Sequence, residues 1–268
     1  MATKTRSWAP VLITGSILLS VGGTAQATTL GSGDPYVNFG TGNANTAWTA
    51  TQTASGGGTI ELGLRGHTPY HGVYMDHGDG TYGTFGPGII DTRPGGTPRY
   101  RTQWSVDFSV DLGSDSQYNL GNVIVQLGVD TDPSSAINYT YLTLNDGSVF
   151  SDSELSNSST RPGPSGSTTP LSTALGSSSL ADYKVLMNSE NPIFSELSSL
   201  YSASPNYSGS WSYQLRVLQP VQGIAPTQTV LATDQITVDV PEPSTIALLG
   251  GGLLVMGELG RRRRQQRT

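Results

Sequence analysis

Between Trp104 and Leu112 every second residue is apolar. Trp104, Val106, Phe108, Val110 and Leu112 fall on one side, and Ser105, Asp107, Ser109 and Asp111 on the other. Successive side chains of a strand point to opposite faces, so this stretch fits a strand and not a helix. The period recurs. Ile60, Leu62 and Leu64 alternate with Glu61 and Arg65, and Trp211, Tyr213, Leu215 and Val217 share a face, as do Ile236, Val238 and Val240. Residues 122–129 and 139–144 read as further strands, with Asn145-Asp146-Gly147 as a hairpin turn into Val149 and Phe150. One-sided alternation implies antiparallel sheets with one face in water. Two such sheets packed together give the expected fold, a mainly β, jelly-roll-like antiparallel β-sandwich. Composition agrees: only 13% of residues are charged, and the abundant Gly, Ser, Thr and Asn favour turns and strands over helix interiors.

Two stretches depart from this pattern. Residues 151–179 are dominated by Ser, Thr, Pro and Gly around Arg161-Pro162-Gly163-Pro164, and read as a long mobile loop. Two short helices follow. Ser179 with Asp182 resembles a capping box opening residues 180–187, and Asn191 with Pro192 suits the cap and first turn of a helix over 193–200.

Both ends carry addresses. Lys4 and Arg6 precede an apolar segment at 11–21, and Ala25-Gln26-Ala27 has the small-x-small form of a signal-peptide cleavage site. The expectation is export by the Sec machinery, with signal peptidase cutting after Ala27. At the other end stand Pro241-Glu242-Pro243, an apolar run over 245–259, and the basic cluster Arg261, Arg262, Arg263 and Arg264. As a helix, residues 244–260 would be about 25 Å long, close to a hydrocarbon core of about 30 Å. The arginines would hold its end in the cytoplasm, with Glu258 pairing to them at the interface. The domain plan is therefore a signal peptide (1–27), an extracytoplasmic β-domain (28–240) and a sorting tail (241–264) with a transmembrane helix at about 245–260.

The tail resembles the PEP-CTERM sorting signal of Gram-negative bacteria. The resemblance implies exosortase as processing partner, a cut near Pro241, Glu242 and Pro243, transient anchoring in the inner membrane, and association with exopolysaccharide and biofilm. Segments of the body, such as Gly42-Asn43-Ala44-Asn45-Thr46-Ala47-Trp48, Gly78-Asp79-Gly80-Thr81-Tyr82 and Gly128-Val129-Asp130-Thr131-Asp132-Pro133, are similar to those of uncharacterised PEP-CTERM proteins. They imply a similar extracellular β-domain of unassigned activity.

Residues 28–240 hold seven basic and eighteen acidic side chains, a net charge of −11. Nucleic acid and anionic lipid need a basic surface, so neither is an expected partner. Cysteine is absent, and the domain must be held by its core rather than by disulfides.

The candidate site is the stretch 66–88, which holds all three histidines, His67, His71 and His77, with Asp76 and Asp79 among them. Imidazoles and carboxylates in this density suit a transition metal. Calcium on Asp76 and Asp79 is a second reading, although the regular acid spacing of an EF-hand loop is missing. A hairpin turn at Asp79-Gly80 within a polar surface loop is the third. Asp130-Thr131-Asp132-Pro133 is a further acidic turn. Asp107 and Asp111, about 13 Å apart along one strand, are too distant for a glycosidase pair. No thiol nucleophile, nucleophile elbow or phosphate loop occurs. The expectation is a non-catalytic surface or matrix protein without a cofactor. The alternatives are a calcium-assisted carbohydrate-binding module, with Tyr70, Tyr74, Tyr82, Trp48 or Tyr207 stacking on sugar, and a secreted hydrolase using His67, His71 and His77.

Overall fold

The computed structural model describes residues 28–30, 48–67, 75–83, 89–91, 100–102, 104–134, 136–157, 168–177, 179–201, 208–221 and 228–241. Strands are numbered in chain order. The first sheet runs β1 (Thr28–Leu30), β2 (Trp48–Ser55), β3 (Gly58–His67), β8 (Ser105–Asp111), β13 (Val185–Glu190), β11 (Glu154–Ser156) and β12 (Thr169–Pro170). The second runs β10 (Tyr139–Thr143), β9 (Ile124–Asp130), β14 (Gly209–Gln219), β15 (Thr229–Val240), β5 (Thr81–Gly83) and β4 (Met75–Asp76). A separate ribbon pairs β6 (Ile89–Asp91) with β7 (Tyr100–Thr102). All pairs are antiparallel except β15 with β5.

The alternating apolar residues meet between the two sheets. Leu62, Leu64, Val106, Phe108 and Val110 of the first sheet and Val125, Leu127, Trp211, Tyr213, Leu215 and Val238 of the second form one buried cluster. Trp104 meets Tyr213 edge-on at 5.8 Å, and Tyr201 meets Trp211 at 5.2 Å. Each such side chain, moved out of water, contributes about 1.5–3 kcal/mol. This is the mainly β sandwich that the alternation predicts.

Four local expectations fail for physical reasons. The loop expected over 151–179 contains β11, β12 and helix α1 (Leu171–Ser177), because Leu155, Leu171 and Ala174 are fully buried against the sandwich. The centre of that loop, 158–167, lies outside the described residues. The helix expected at 180–187 is a single 3-10 turn, Leu180–Asp182, capped by the Ser179 hydroxyl. Leu186 and Met187 instead join β13, where Leu186 enters the core. The helix expected at 193–200 shortens to α2 (Ser195–Ser198) with Phe194 as cap, while Asn191 is buried and bonded to Thr102 and Trp104. Val149 and Phe150 form no strand: Phe150 adopts φ 52°, and the Asn145 side chain accepts from Val125 N while donating to the carbonyls of Leu120 and Val123.

The expectation of one wet face also fails for the first sheet. Ser105, Asp107 and Ser109 are 2%, 0% and 3% exposed, and Arg65 is fully buried. Trp48, Val185 and Met187 lie on that same outer face as a second, smaller apolar cluster. A polar face can be buried when its charges are paired there, and the pairing defines the site below.

Candidate functional site

Antiparallel register brings the site together. Arg65 on β3 lies opposite Asp107 on β8, His67 opposite Ser105, and Asp107 in turn opposite Ser189 on β13. The three titratable side chains therefore share the outer face of the first sheet at one end. Nε of Arg65 donates to Oδ2 of Asp107 at 2.6 Å, and Nδ1 of His67 lies 3.0 Å from Oδ1 of the same carboxylate. The Arg65 guanidinium sits over the Trp48 ring at 4.2 Å. Burial pushes the Asp107 carboxyl up, but the charges of His67 and Arg65 and the hydrogen bonds of His67 and Ser189 overcome it, so its pKa ends below the usual carboxylate value. Asp107 is thus a buried hub with Arg65 on one oxygen and the His67 imidazole on the other.

One wall of this hub is built by Asn191. Its Oδ1 accepts from N and Oγ1 of Thr102, and its Nδ2 donates to the carbonyls of Thr102 and Trp104 and to Ser105 Oγ. Chemically the arrangement resembles a histidine oriented by a carboxylate, as in acyl-transfer enzymes. Its position differs, since His67 is 4% and Asp107 0% exposed. With both charges buried, removing either partner would leave the other uncompensated in the interior.

The other predicted site residues do not converge on it. His77 is exposed in the turn between β4 and β5, where its backbone N donates to Thr81 O. Asp79 is exposed, and its Oδ1 accepts from Thr81 N at 2.9 Å. The Thr81 hydrogen bonds lower its pKa. With Gly78 and Gly80 at φ 79° and 85°, Asp79-Gly80 is a hairpin turn, one of the three readings of the sequence. Asp76 contributes backbone to β4 opposite Tyr82. His71 lies outside the described residues, among which no three His, Cys, Asp or Glu side chains are grouped to hold a metal ion. The second acidic turn also serves itself: Asp130 Oδ1 accepts from Asn138 N, and Asp132 Oδ1 from Ser134 N.

Two aromatic residues proposed to stack on sugar are core residues: Trp48 is 2% and Tyr82 1% exposed. Tyr82 points inward, where its hydroxyl accepts from Thr49 N at 2.8 Å. Tyr70, Tyr74 and Tyr207 lie outside the described residues. An open groove of about 860 Å³ runs past Gln52, Glu61, Asp111 and Asp115 at the far end of the first sheet. In it Glu61 Oε2 accepts from Gln52 Nε2 and Asp111 Oδ1 accepts from Gly113 N.

The described residues include five buried carboxylates, Glu61, Asp107, Asp130, Glu190 and Asp234, and the sequence alone marks none of them as buried. The alternation assigns Asp107 to a wet face, and only the strand order shows that Arg65 lies opposite it. Asp234 lies before the Ile236, Val238 and Val240 alternation that marks the last strand in the sequence. It is 3% exposed, on the core face of β15, and Oδ1 accepts from Thr51 Oγ1 of β2 across the sandwich at 3.0 Å. Burial pushes this carboxyl up to about 7, against the lowering effect of the Thr51 bond.

The sorting tail meets the fold directly. β15 ends at Val240, a core residue, and the next residue, Pro241, is exposed. Glu242, Pro243 and Arg261 to Arg264 lie outside the described residues, as do Ala25, Ala27 and the expected helices at both ends. No helix among the described residues is long and apolar enough to cross a membrane.

Residues 239–264 match the PEP-CTERM protein-sorting motif. The chain is therefore an exported, exosortase-sorted protein whose signal begins within the last two residues of β15. The match covers the tail and not the β-domain. No curated protein and no solved structure matches the chain.

Proposed function

We propose that the β-domain is a non-catalytic component of the cell surface or extracellular matrix, associated with exopolysaccharide and released from a transient inner-membrane anchor by exosortase. The carrying observation is the junction at Val240: the sorting motif starts inside the strand that completes the second sheet. The anchor then serves delivery, and the cargo is a rigid sandwich. Four residues separate Val240 from the apolar run at 245, about 13 Å of extended chain, so the domain would sit close to the membrane until cut.

The chemistry of the first sheet supports the non-catalytic part of this reading. His67, which a histidine-based hydrolase would use, is buried with Nδ1 on Asp107, and His77 lies in an exposed turn elsewhere. The reading requires no metal or cofactor. The net charge of −11 in residues 28–240 suits a soluble matrix component and disfavours nucleic acid.

The test is fractionation of the native host with and without an active exosortase. Processed protein at the surface or in the matrix is expected with the enzyme, and full-length protein in the inner membrane without it. Full-length protein in the inner membrane in both strains would overturn the sorting part. A hydrolytic activity abolished by His67→Ala in a folded variant would overturn the non-catalytic part.

A further inference from the structure

The outer face of the second sheet differs from the ordinary wet face of a sandwich. Tyr141 on β10 lies opposite Gly128 on β9, which lies opposite Gln214 on β14. A Cβ at Gly128 would stand 2.7 Å from Tyr141 and 3.1 Å from Tyr139. Glycine therefore lets both rings settle onto the sheet, 5.9 Å apart. Tyr141 reaches across the central strand and donates its hydroxyl to Gln214 Oε1 at 2.6 Å. Arg216 lies over the Tyr141 ring, its guanidinium carbon 3.3 Å from the centroid, and Nε and Nη2 both donate to Gln126 Oε1 at 2.9 and 2.7 Å.

Among the described residues Arg216 has no carboxylate partner, and its guanidinium is held by the Gln126 amide and the Tyr141 ring. The other two described cations with placed side chains are occupied: Arg65 is buried on Asp107, and Lys184 donates to the carbonyls of Gly113, Ser114 and Ser116. Tyr139 Oη is buried and makes no hydrogen bond among the described residues. The partly exposed edges of Tyr139 and Tyr141, the amides of Gln126 and Gln214 and a planar donor fork lie on one face and suit the edges and hydroxyls of sugar rings.

The charge of the domain selects among sugar polymers. At −11 for residues 28–240, the domain as a whole repels a polyanion, and one guanidinium does not make a basic patch. A neutral chain approaches without that cost. We propose that the outer face of the second sheet, centred on Tyr139, Tyr141 and Arg216, binds a neutral polysaccharide. This rests on the surface or matrix reading above and names the face through which the domain would be retained there.

The test is affinity electrophoresis of the full chain, purified in detergent, through gels containing laminarin, hydroxyethyl cellulose, dextran or, as a polyanion, alginate. Retardation in at least one neutral gel is expected. Tyr139→Ala and Arg216→Ala should each weaken it about tenfold or more, with circular dichroism unchanged. If either variant unfolds, Gln126→Ala, which frees Arg216 from its amide, takes its place with the same expected loss. No retardation in any neutral gel, retardation in alginate alone, or folded variants that bind like wild type would overturn the proposal. So would concentration-dependent self-association abolished by Arg216→Ala, which assigns the face to a second copy. Fractionation separates the two readings. Arg216→Ala should be exported and processed normally yet be released into the medium. Wild-type protein that never reaches the surface defeats the matrix reading whatever the gels show.

Discussion

Replacing Asp234 with asparagine should remove most of one component of the domain's pH dependence. In the folded protein this carboxyl lies between the sheets, with Thr51 Oγ1 on one oxygen and Leu215 opposite it on β14. Burial pushes its pKa up to about 7 there, against an ordinary value of 3.8. The folded state therefore holds a proton that the unfolded chain has lost across that window. Stability from this group is full below pH 4 and declines as pH rises through 7, because the unfolded state binds fewer protons. Three units at about 1.4 kcal/mol each give a loss of about 4 kcal/mol. Asparagine keeps an acceptor for Thr51 and has no charge to bury, so the variant should match wild type near pH 4 and exceed it near pH 8. At roughly 2–4 °C per kcal/mol for a domain of this size, the difference in Tm at pH 8 is on the order of 10 °C. Calorimetry of both proteins from pH 4 to 8.5 measures it, and subtracting one profile from the other cancels every other titration. Parallel profiles would refute the reasoning, since they would mean that water or a partner stabilises the ionised form.

Asp107→Ala strands the Arg65 charge in the interior and should cost about 3–5 kcal/mol in denaturant unfolding, whereas replacing both residues with apolar ones of similar volume should recover most of that. The Asp107 shift has the opposite sign to that of Asp234: a lowered pKa means stability held above the unfolded value and lost as acid protonates the carboxylate, so Asp107→Asn should reduce sensitivity below pH 4 in acid titration followed by circular dichroism. The histidines should separate, with His67→Ala lowering Tm by several degrees and exposed His77→Ala leaving it unchanged within about 1 °C. Mass spectrometry of the processed protein should find its end at or after Val240, near 241–243, because a cut upstream removes core residues; an end at or before Ile236 in a folded product would contradict this.

The strands that alternate cleanly were legible, because β8 and β14 present an unbroken apolar face to one neighbour. β15 was legible only in its last third. Asp234 sits on the apolar face and ends the pattern for a reader who cannot know that Thr51 lies across the gap. α1 and β11 were hidden for a related reason: Leu155, Leu171 and Ala174 are single apolar residues in a serine-rich stretch, and only their shared destination under the sheets gives them meaning. The candidate site shows the same limit. Arg65 and Asp107 look like solvent-facing charges within their own strands, and their pairing follows from register between segments about forty residues apart in sequence. Tyr139, Tyr141, Gln126 and Arg216 carry no linear signature, since three strands must lie side by side before they form a face. The tail needed none of this, because its signal is contiguous.

The place of β15 also dictates the order of events in maturation. Thr229–Val240 stands between β14 and β5 and brings Ala232, Ile236, Val238 and Val240 into the core, yet it is the last folded segment the chain emits before the sorting motif. β5, more than 140 residues earlier, has only β4 beside it until this strand arrives. A chain exported from its N-terminus would therefore cross with its second sheet split, and closure would wait until the apolar run is entering the bilayer. If the tail anchors the precursor as proposed above, it would act as a tether at the moment of greatest exposure, while β15 docks. Early proteolysis would yield an aggregating product, and late proteolysis a finished one.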